Sequence, residues 1–444
     1  MTKTWAIARH MIAEGIHMKI ALVFLGLIGM VVLGLPFSIS DDSSLTGAVQ
    51  SFMSYGLSAT GVLLGMLTIF MSRSLADDLV QRQILLVMTK PIARWQYLLG
   101  KWLGITILNA AFLACSGLTI YGMVHYIKHT HPPIDERYDK AELRDEVLVA
   151  RHAQPCKLPD FKRPAEMEFD RNLEEGFYAN VPDLDPKREK ARLAKKYEAR
   201  WRVVGPLETR VLEFENVLVD RSRDQQVQLR YKTEVSQFAP DEILRAMWRF
   251  GDPLKGTPVY DRPVRHVVGR YHTIRVPVDA VAEDHTLTAF FYNRNPFQGE
   301  PQYRNVMEFR KSGEVELLFV VGSFEGNFLR LLILMMCKLM FLAAVALLMT
   351  TVFSFPVACL ASFTFYILAA AQPFLVEAID LGIDDYSWFG RLHIEAQLKT
   401  ILGALLSDLS RFDAVEPFVN GRNVSLAWVL LAIAELAIVR SWAM

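Results

Sequence analysis

Cysteine is scarce in this chain, and the four that occur form no pattern. Cys115, Cys337 and Cys359 lie in apolar runs and Cys156 stands alone in a polar region, so neither a disulfide framework nor a CxxC metal site is supported. Common catalytic signatures are missing as well. Gly100-Lys101 lacks the upstream glycine of GxxxxGK[ST], and neither HExxH nor GxSxG occurs, which disfavours a self-powered ATPase or a common hydrolase. Net charge is also absent. With 48 basic and 48 acidic residues, bulk electrostatics gives no reason to propose nucleic acid as a partner. There is no internal repeat, low-complexity tract or Gly/Ser linker.

What the chain has in abundance is apolar sequence. Hydrophobic residues make up 52% of its 444 residues, mean hydropathy is +0.21, and the apolar residues are clustered. A helix needs about 20 mostly apolar residues to cross the hydrocarbon layer, and windows of that kind fall near 20–37, 52–71, 102–127, 328–349, 353–376 and 424–439. In lipid the backbone must satisfy its own hydrogen bonds, so these windows predict about six transmembrane helices in an all-α membrane bundle. The run Ile20 to Phe37 follows a basic start as a signal peptide would, but no small-x-small cleavage site comes after it, and it reads as a retained span.

Orientation follows from Lys and Arg in short flanks. Lys3, Arg9 and Lys19 precede the first span, and Arg73, Arg82, Lys90, Arg94 and Lys101 lie between the second and third, so both segments are expected in the cytoplasm. Asp41 and Asp42 follow the first span, and 377–423 carries more acid than base, which suits the opposite side. Both termini are then cytoplasmic, Arg440 lying on that side, and residues 128–325 are extracytoplasmic. The expected organisation is 1–127 for an N-terminal interfacial helix and three spans with a cytoplasmic helix, 128–325 for an inserted domain, and 326–444 for three more spans.

Within the insertion, 128–205 is rich in Pro and charge, with Leu193, Tyr197 and Trp201 at helical spacing, and reads as loops with one exposed helix. From 206 to 325 the pattern alternates, as in Val211 to Val219, Val227 to Val235, Tyr271 to Val278, Leu287 to Tyr292 and Val315 to Val321. Short strands between turn residues predict a β-sandwich-like α+β domain. Trp248, Tyr260, Tyr271, Phe290, Phe291 and Tyr292 are read mainly as core, with sugar stacking as the alternative.

The most informative stretch is Ser74 to Gly104, SLADDLVQRQILLVMTKPIARWQYLLGKWLG. Leu75, Leu79, Arg82, Leu85 and Leu86 recur at helical spacing, and Lys90-Pro91 ends that helix because residues before proline avoid the α region. Lys90-Pro91-Ile92-Ala93-Arg94-Trp95, followed by Tyr97-Leu98-Leu99-Gly100-Lys101, resembles the coupling segment of type-2 ATP-binding-cassette (ABC) export permeases. The resemblance implies that the preceding helix enters a groove on a separate nucleotide-binding ATPase. It gives that role to Asp77, Asp78, Arg82, Gln83, Leu86, Lys90, Pro91, Arg94, Gly100 and Lys101. An ordinary interfacial helix is the plainer alternative, and Arg94 and Lys101 would then be positive-inside anchors.

Weaker echoes of the same family occur at Trp5 to Met18 (an interfacial elbow helix), at FEGNFLR from Phe324 to Arg330, at Thr350 to Ala358, and at Leu409 to Val424. The resemblance covers the six-span frame, about half the chain. It implies a second permease protomer, membrane lipid as surroundings, and ATP and magnesium held by the partner ATPase, with no cofactor in this chain. Ionisable residues inside spans are functional hypotheses by default. Lys338 is expected either to pair within the bundle or to snorkel, and Glu435 to snorkel near Arg440. Gly56, Ser58, Ala59, Gly61 and Gly65 pattern the second span for close helix contact or a dimer seam.

The function expected is a permease subunit of the bacterial inner membrane, exporting a substrate that the sequence does not name and having no enzymatic activity of its own. The alternatives are a membrane-anchored extracytoplasmic receptor, an ABC-type subunit that works mechanically on an envelope partner, and, more remotely, a membrane-embedded enzyme.

Overall fold

A computed structural model describes residues 2–17, 19–38, 44–81, 92–130, 140–178, 185–219, 227–235, 243–294, 306–309, 314–383 and 413–442. The chain divides into two compact units, one formed by Met1–Ala150 with Gly322–Met444 and the other by Arg151–Val321.

The first unit is helical. Its N-terminal half contains α1 (Thr2–His17), α2 (Lys19–Ser38), α3 (Leu45–Met71), α4 (Arg73–Val80) and α5 (Arg94–Thr130). Four helical stretches among the described residues are long and apolar enough to cross a bilayer: Lys19–Pro36, Leu45–Val80, Arg94–Thr130 and Phe324–Val352. They mark the chain as a membrane protein. The 37 residues of α5 reach about 55 Å at about 1.5 Å per residue, well beyond the roughly 30 Å of hydrocarbon.

Polar side chains stitch these helices together where apolar packing alone would leave them free to slide. Asn109 Nδ2 on α5 donates to Thr68 Oγ1 on α3 at 2.8 Å. Trp102 Nε1 donates to the Met340 carbonyl at 2.9 Å. Ser72, at the corner between α3 and α4, accepts from Thr350 Oγ1 at 3.1 Å. The small residues of the second span serve this packing: a Cβ at Gly61 would lie 3.3 Å from Met335 Cε, and one at Gly65 would lie 3.5 Å from Leu342 and Tyr366. A π-helical turn, Leu143–Val147, also belongs to this unit, with Leu143 and Val147 buried in the helical core.

In the second unit, β1 (Val149–Pro155) is followed by α6 (Lys162–Glu174) and α7 (Pro186–Arg202). The strands β2 (Val203–Val204), β3 (Thr209–Phe214), β4 (Val227–Lys232), β5 (Glu234–Val235), β6 (Ile243–Phe250) and β7 (Tyr260–Val267) come next. They are completed by β8 (Tyr271–Val276), β9 (Leu287–Asn293), β10 (Met307–Glu308) and β11 (Val315–Ser323). Two four-stranded sheets, in the orders β1-β11-β4-β8 and β3-β9-β6-β7, enclose a common core, with a small sheet β2-β10-β5 beside them. Tyr231 from one sheet meets Trp248 from the other with ring centroids 5.0 Å apart.

Alternation explains which side chains reach that core. In β3, paired antiparallel with β9, Leu212 and Phe214 point inward while Val211 is exposed. Trp248 and Phe291 are fully buried, so the expectation of core residues holds for them. Tyr271 is exposed beneath the Arg230 guanidinium, 4.1 Å from its ring centroid. The region before the sandwich carries two helices and a strand, where one helix and loops were expected from the sequence. Helices α6 and α7 pair through a satellite core of Ala165, Phe169 and Leu193.

Beyond the second unit, α8 (Phe324–Val352), α9 (Phe355–Ile383), α10 (Val415–Val419) and α11 (Leu426–Trp442) complete the helical unit. No residue separates β11 from α8, because Ser323 ends the strand and caps the helix, its Oγ accepting from the Gly326 amide. Of the six expected spans, the fifth falls within the 29 residues of α9, whose described side chains form an apolar stretch at Phe355–Ala371, and the sixth falls within α11, which has 17 residues. Asp41, Asp42 and most of the acidic 377–423 stretch lie outside the described residues.

Charge pairing on the α6–α7 hairpin generates a pH dependence. Glu168 accepts from Tyr197 and Lys196, and Glu189 from Arg192 and Tyr178, which holds both carboxyls below their ordinary value. A depressed carboxyl stabilises the fold above its unfolded pKa of about 4.3, and that contribution is lost as pH falls through the folded value. Hydrogen-exchange protection of α7, corrected for the intrinsic rate, should be flat from about pH 7 to about pH 5 and fall below about pH 4. Glu168→Gln should remove part of that step.

Candidate coupling site

The Gly-Lys pair near the start of α5 builds a crossing between three helices. Gly100 and Gly104 are four residues apart and so lie on one helix face, and that face is pressed against α1. A Cβ at Gly100 would lie 2.7 Å from Ile7 Cβ and 3.0 Å from the Thr4 carbonyl oxygen; one at Gly104 would lie 2.5 Å from Met11 Cβ and 3.0 Å from the Ala8 oxygen. Any side chain there would push the two backbones apart, which is how small residues four apart permit close helix contact. Helix α1 meets this face with Ala8 and Met11, both fully buried, and turns Trp5 and Ile16 outward.

Lys101, between those glycines, is 2% exposed. Its ammonium lies 2.7 Å from Asp78 Oδ2 on α4 and 3.5 Å from Glu14 Oε2 on α1, and it donates to Ser74 Oγ, also on α4. Ser74 in turn donates to Glu14 at 2.5 Å, and Tyr97, one turn before Lys101, donates its hydroxyl to Asp78. Burying an ammonium costs several kcal/mol, offset only where geometry and further hydrogen bonds complete the site. Here one cation faces two carboxylates. Glu14 is the more open of the two, its side chain 29% exposed and 3.8 Å from the exposed His10.

Of the ten residues assigned to coupling, this arrangement brings together Asp78, Gly100 and Lys101. Asp78 is turned inward, whereas Asp77 stays half-exposed and pairs with Arg73 at 3.3 Å. Arg94 is exposed on the first turn of α5. Arg82, Gln83, Leu86, Lys90 and Pro91 lie outside the described residues. The cluster also contains Glu14, Ser74 and Tyr97, which the sequence reasoning missed. One signal was present: Glu14 is the single acid before Asp41.

A second polar seam lies along α8. Lys338 pairs with Asp413 at 3.4 Å and sits over the Tyr366 ring at 5.7 Å. Toward the start of the helix, Asn327 is fully buried, donating to the Arg422 carbonyl at 2.8 Å and accepting from the Val424 amide at 2.7 Å. Arg330 donates to Asn423 Oδ1 at 2.8 Å. Gly421, at φ 68°, makes the left-handed turn between α10 and α11 that presents these groups. The FEGNFLR motif and the stretch before the last helix are therefore partners: Asn327, Arg330 and Lys338 together hold 413–424 along about 16 Å of α8. Glu435 lies in α11, and its side chain is outside the described residues.

No protein-family model, curated protein or solved structure matches this chain.

Two expectations follow from the crossing. Gly104→Leu should lower the thermal stability of the detergent-purified protein by about 1–3 kcal/mol or more through overpacking, whereas Gly122→Leu on the same helix, where a Cβ meets nothing within 4 Å, should leave it nearly unchanged. Lys101→Ala should cost about 3–5 kcal/mol by leaving buried carboxylates uncompensated. Combining Lys101→Met with Asp78→Leu should recover part of that loss in a double-mutant cycle.

Proposed function

We propose that the chain is the membrane-spanning permease subunit of a type-2 ABC transporter, an exporter that couples ATP hydrolysis in a separate subunit to movement of a substrate. The observation that carries this reading is the Lys101 cluster, because it ties α4, which leads into the motif-bearing segment, to α1 and α5 by buried charge and close backbone contact. A push delivered to α4 and residues 82–91 is then passed to two helices at once. ATP can shift the spans only if its subunit contacts that segment differently in its two states, and a rigid junction is what such a relay requires.

In this reading the protein sits in a bacterial inner membrane as a six-span protomer. Both termini are cytoplasmic, the sandwich is extracytoplasmic, and a second protomer completes the pathway. ATP and magnesium belong to the partner ATPase, whose surface Arg94 and Asp77 face from the exposed side of the junction.

A mechanical variant of the same reading rests on the junction at Ser323, where strand passes into helix without a linker. Under it, nucleotide-driven motion of α8 acts on the β-domain and through it on an envelope partner. Inserting Gly-Ser pairs after Gly322 should abolish function if force passes there and preserve it if substrate passes through the bundle.

The central test is association and coupling. Purified in mild detergent from its native membrane, the protein should bring with it an ATPase carrying Walker A and signature motifs, and spin labels on α4 and α5 should change separation when ATP binds. Arg94→Glu should leave insertion and ATP hydrolysis intact and suppress that change. A protein that captures no ATPase, or labelling that places residues 74–101 on the extracytoplasmic side, overturns the proposal.

A further inference from the structure

Helix α7 concentrates positive charge that the fold does not use. Its 17 residues contain eight Lys and Arg against Glu189 and Glu198, in a chain whose formal net charge is zero. Four of the eight are neutralised in place: Lys190 pairs with Asp170, Arg192 with Glu189, Lys196 with Glu168, and Arg202 with Glu198. Lys187, Arg188, Lys195 and Arg200 are exposed and make no ion pair among the described residues.

Folding alone gives no reason for this excess. Lys187 and Arg188 occupy the first turn, where cations oppose the helix dipole. Arg188 with Arg192, and Lys196 with Arg200, place like charges four residues apart, which weakens a helix. Arg188 and Lys195 share one face with the paired Arg192 and the small exposed Ala191 between them and the exposed Ala199 just beyond, a shallow cationic track on which Arg188 and Lys195 stand about 10 Å apart. The aromatic residues of the helix are turned elsewhere, with Tyr197 against the satellite core and Trp201 against the sandwich core.

We propose that this face of α7 binds a linear polymer bearing carboxylate or phosphate groups. Repeated anionic charge along an extended chain matches cations spaced along a rigid helix and relieves the repulsion between them. A lipid surface fits less well, since membrane-binding helices insert large apolar side chains opposite their basic face and this face carries only alanine between its cations. Single-stranded nucleic acid fits less well too, because its binding sites add aromatic platforms for the bases.

The test uses the full chain in nanodiscs of zwitterionic lipid, with long-chain polyphosphate and polygalacturonate as probes. Both should bind at low salt, and two contacted charges should weaken binding about sevenfold between about 50 and about 200 mM salt. Arg188→Glu with Lys195→Glu should reduce affinity at low salt by about tenfold or more. Arg188→Gln with Lys195→Gln should give an intermediate loss, and Arg262→Glu with Arg265→Glu, an equal charge change on β7, should have little effect. Equal weakening by the β7 variant, unchanged binding by the α7 variants, or tighter binding to anionic vesicles or to a DNA oligonucleotide of matched charge would overturn the proposal, as would failure of both polymers to bind.

Discussion

A lysine that is 2% exposed in an apolar bundle constrains everything around it, because its charge has nowhere to go unless the surrounding helices bring partners to it. Lys101 receives Asp78 and Ser74 from α4 and Glu14 from α1. Glu14 is brought to it where Gly100 and Gly104 let α1 lie directly against the α5 backbone. The ion cluster and the glycines are thus one device. Close approach without the lysine would be simple packing, and the lysine without close approach would be an uncompensated charge. Together they fix the mutual positions of three helices that lipid alone would not order, since hydrocarbon exerts no hydrophobic force between apolar helices.

The same logic recurs at the other polar seams. Asn109 with Thr68, Trp102 with the Met340 carbonyl, and Thr350 with Ser72 each join helices distant in sequence. Asn327 binds the turn before α11 by its backbone and Arg330 by the Asn423 side chain. In an apolar surrounding such groups must find each other, so each is a registration mark that selects one arrangement from many of similar packing energy. A bundle held this way can move as rigid groups of helices, because shifting one helix alone would strand a buried donor or charge.

How much of this was legible in the sequence depended on which physical rule governed each element. Membrane-length helices were readable because hydrocarbon thickness demands a long apolar window, and the windows at 20–37 and 328–349 fall inside α2 and α8. Strand phase was harder. The sequence pattern through Val211 and Glu213 showed alternation, but Val211 is exposed, and the inward set is Leu212 and Phe214. Strand β6 escaped because Arg245 and Arg249 interrupt its apolar residues, although Ala246, Trp248 and Phe250 alternate inward. Helix α6 escaped because its buried face is little more than Ala165 and Phe169. For the candidate site, motif spacing singled out Gly100 and Lys101, but Glu14 is 87 residues from Lys101 in sequence, and no local pattern could join them.

Charge therefore does opposite jobs in the two units. In the helical unit it is sparse and matched to partners, buried where Lys101 meets Asp78 and Glu14 and more open where Lys338 meets Asp413. A buried charge is costly enough to dictate geometry, so these pairs act as structural determinants. In the second unit charge is abundant and, apart from the buried Arg151, Glu314 and Glu316, mostly solvent-facing, where an ion pair contributes little to stability; the sandwich is held mainly by Trp248, Tyr231, Phe291 and their apolar neighbours. Surface charge there is free to vary without loss of the fold. When such a surface gathers one sign on a single helix face, the cause lies outside the fold, in what that face meets.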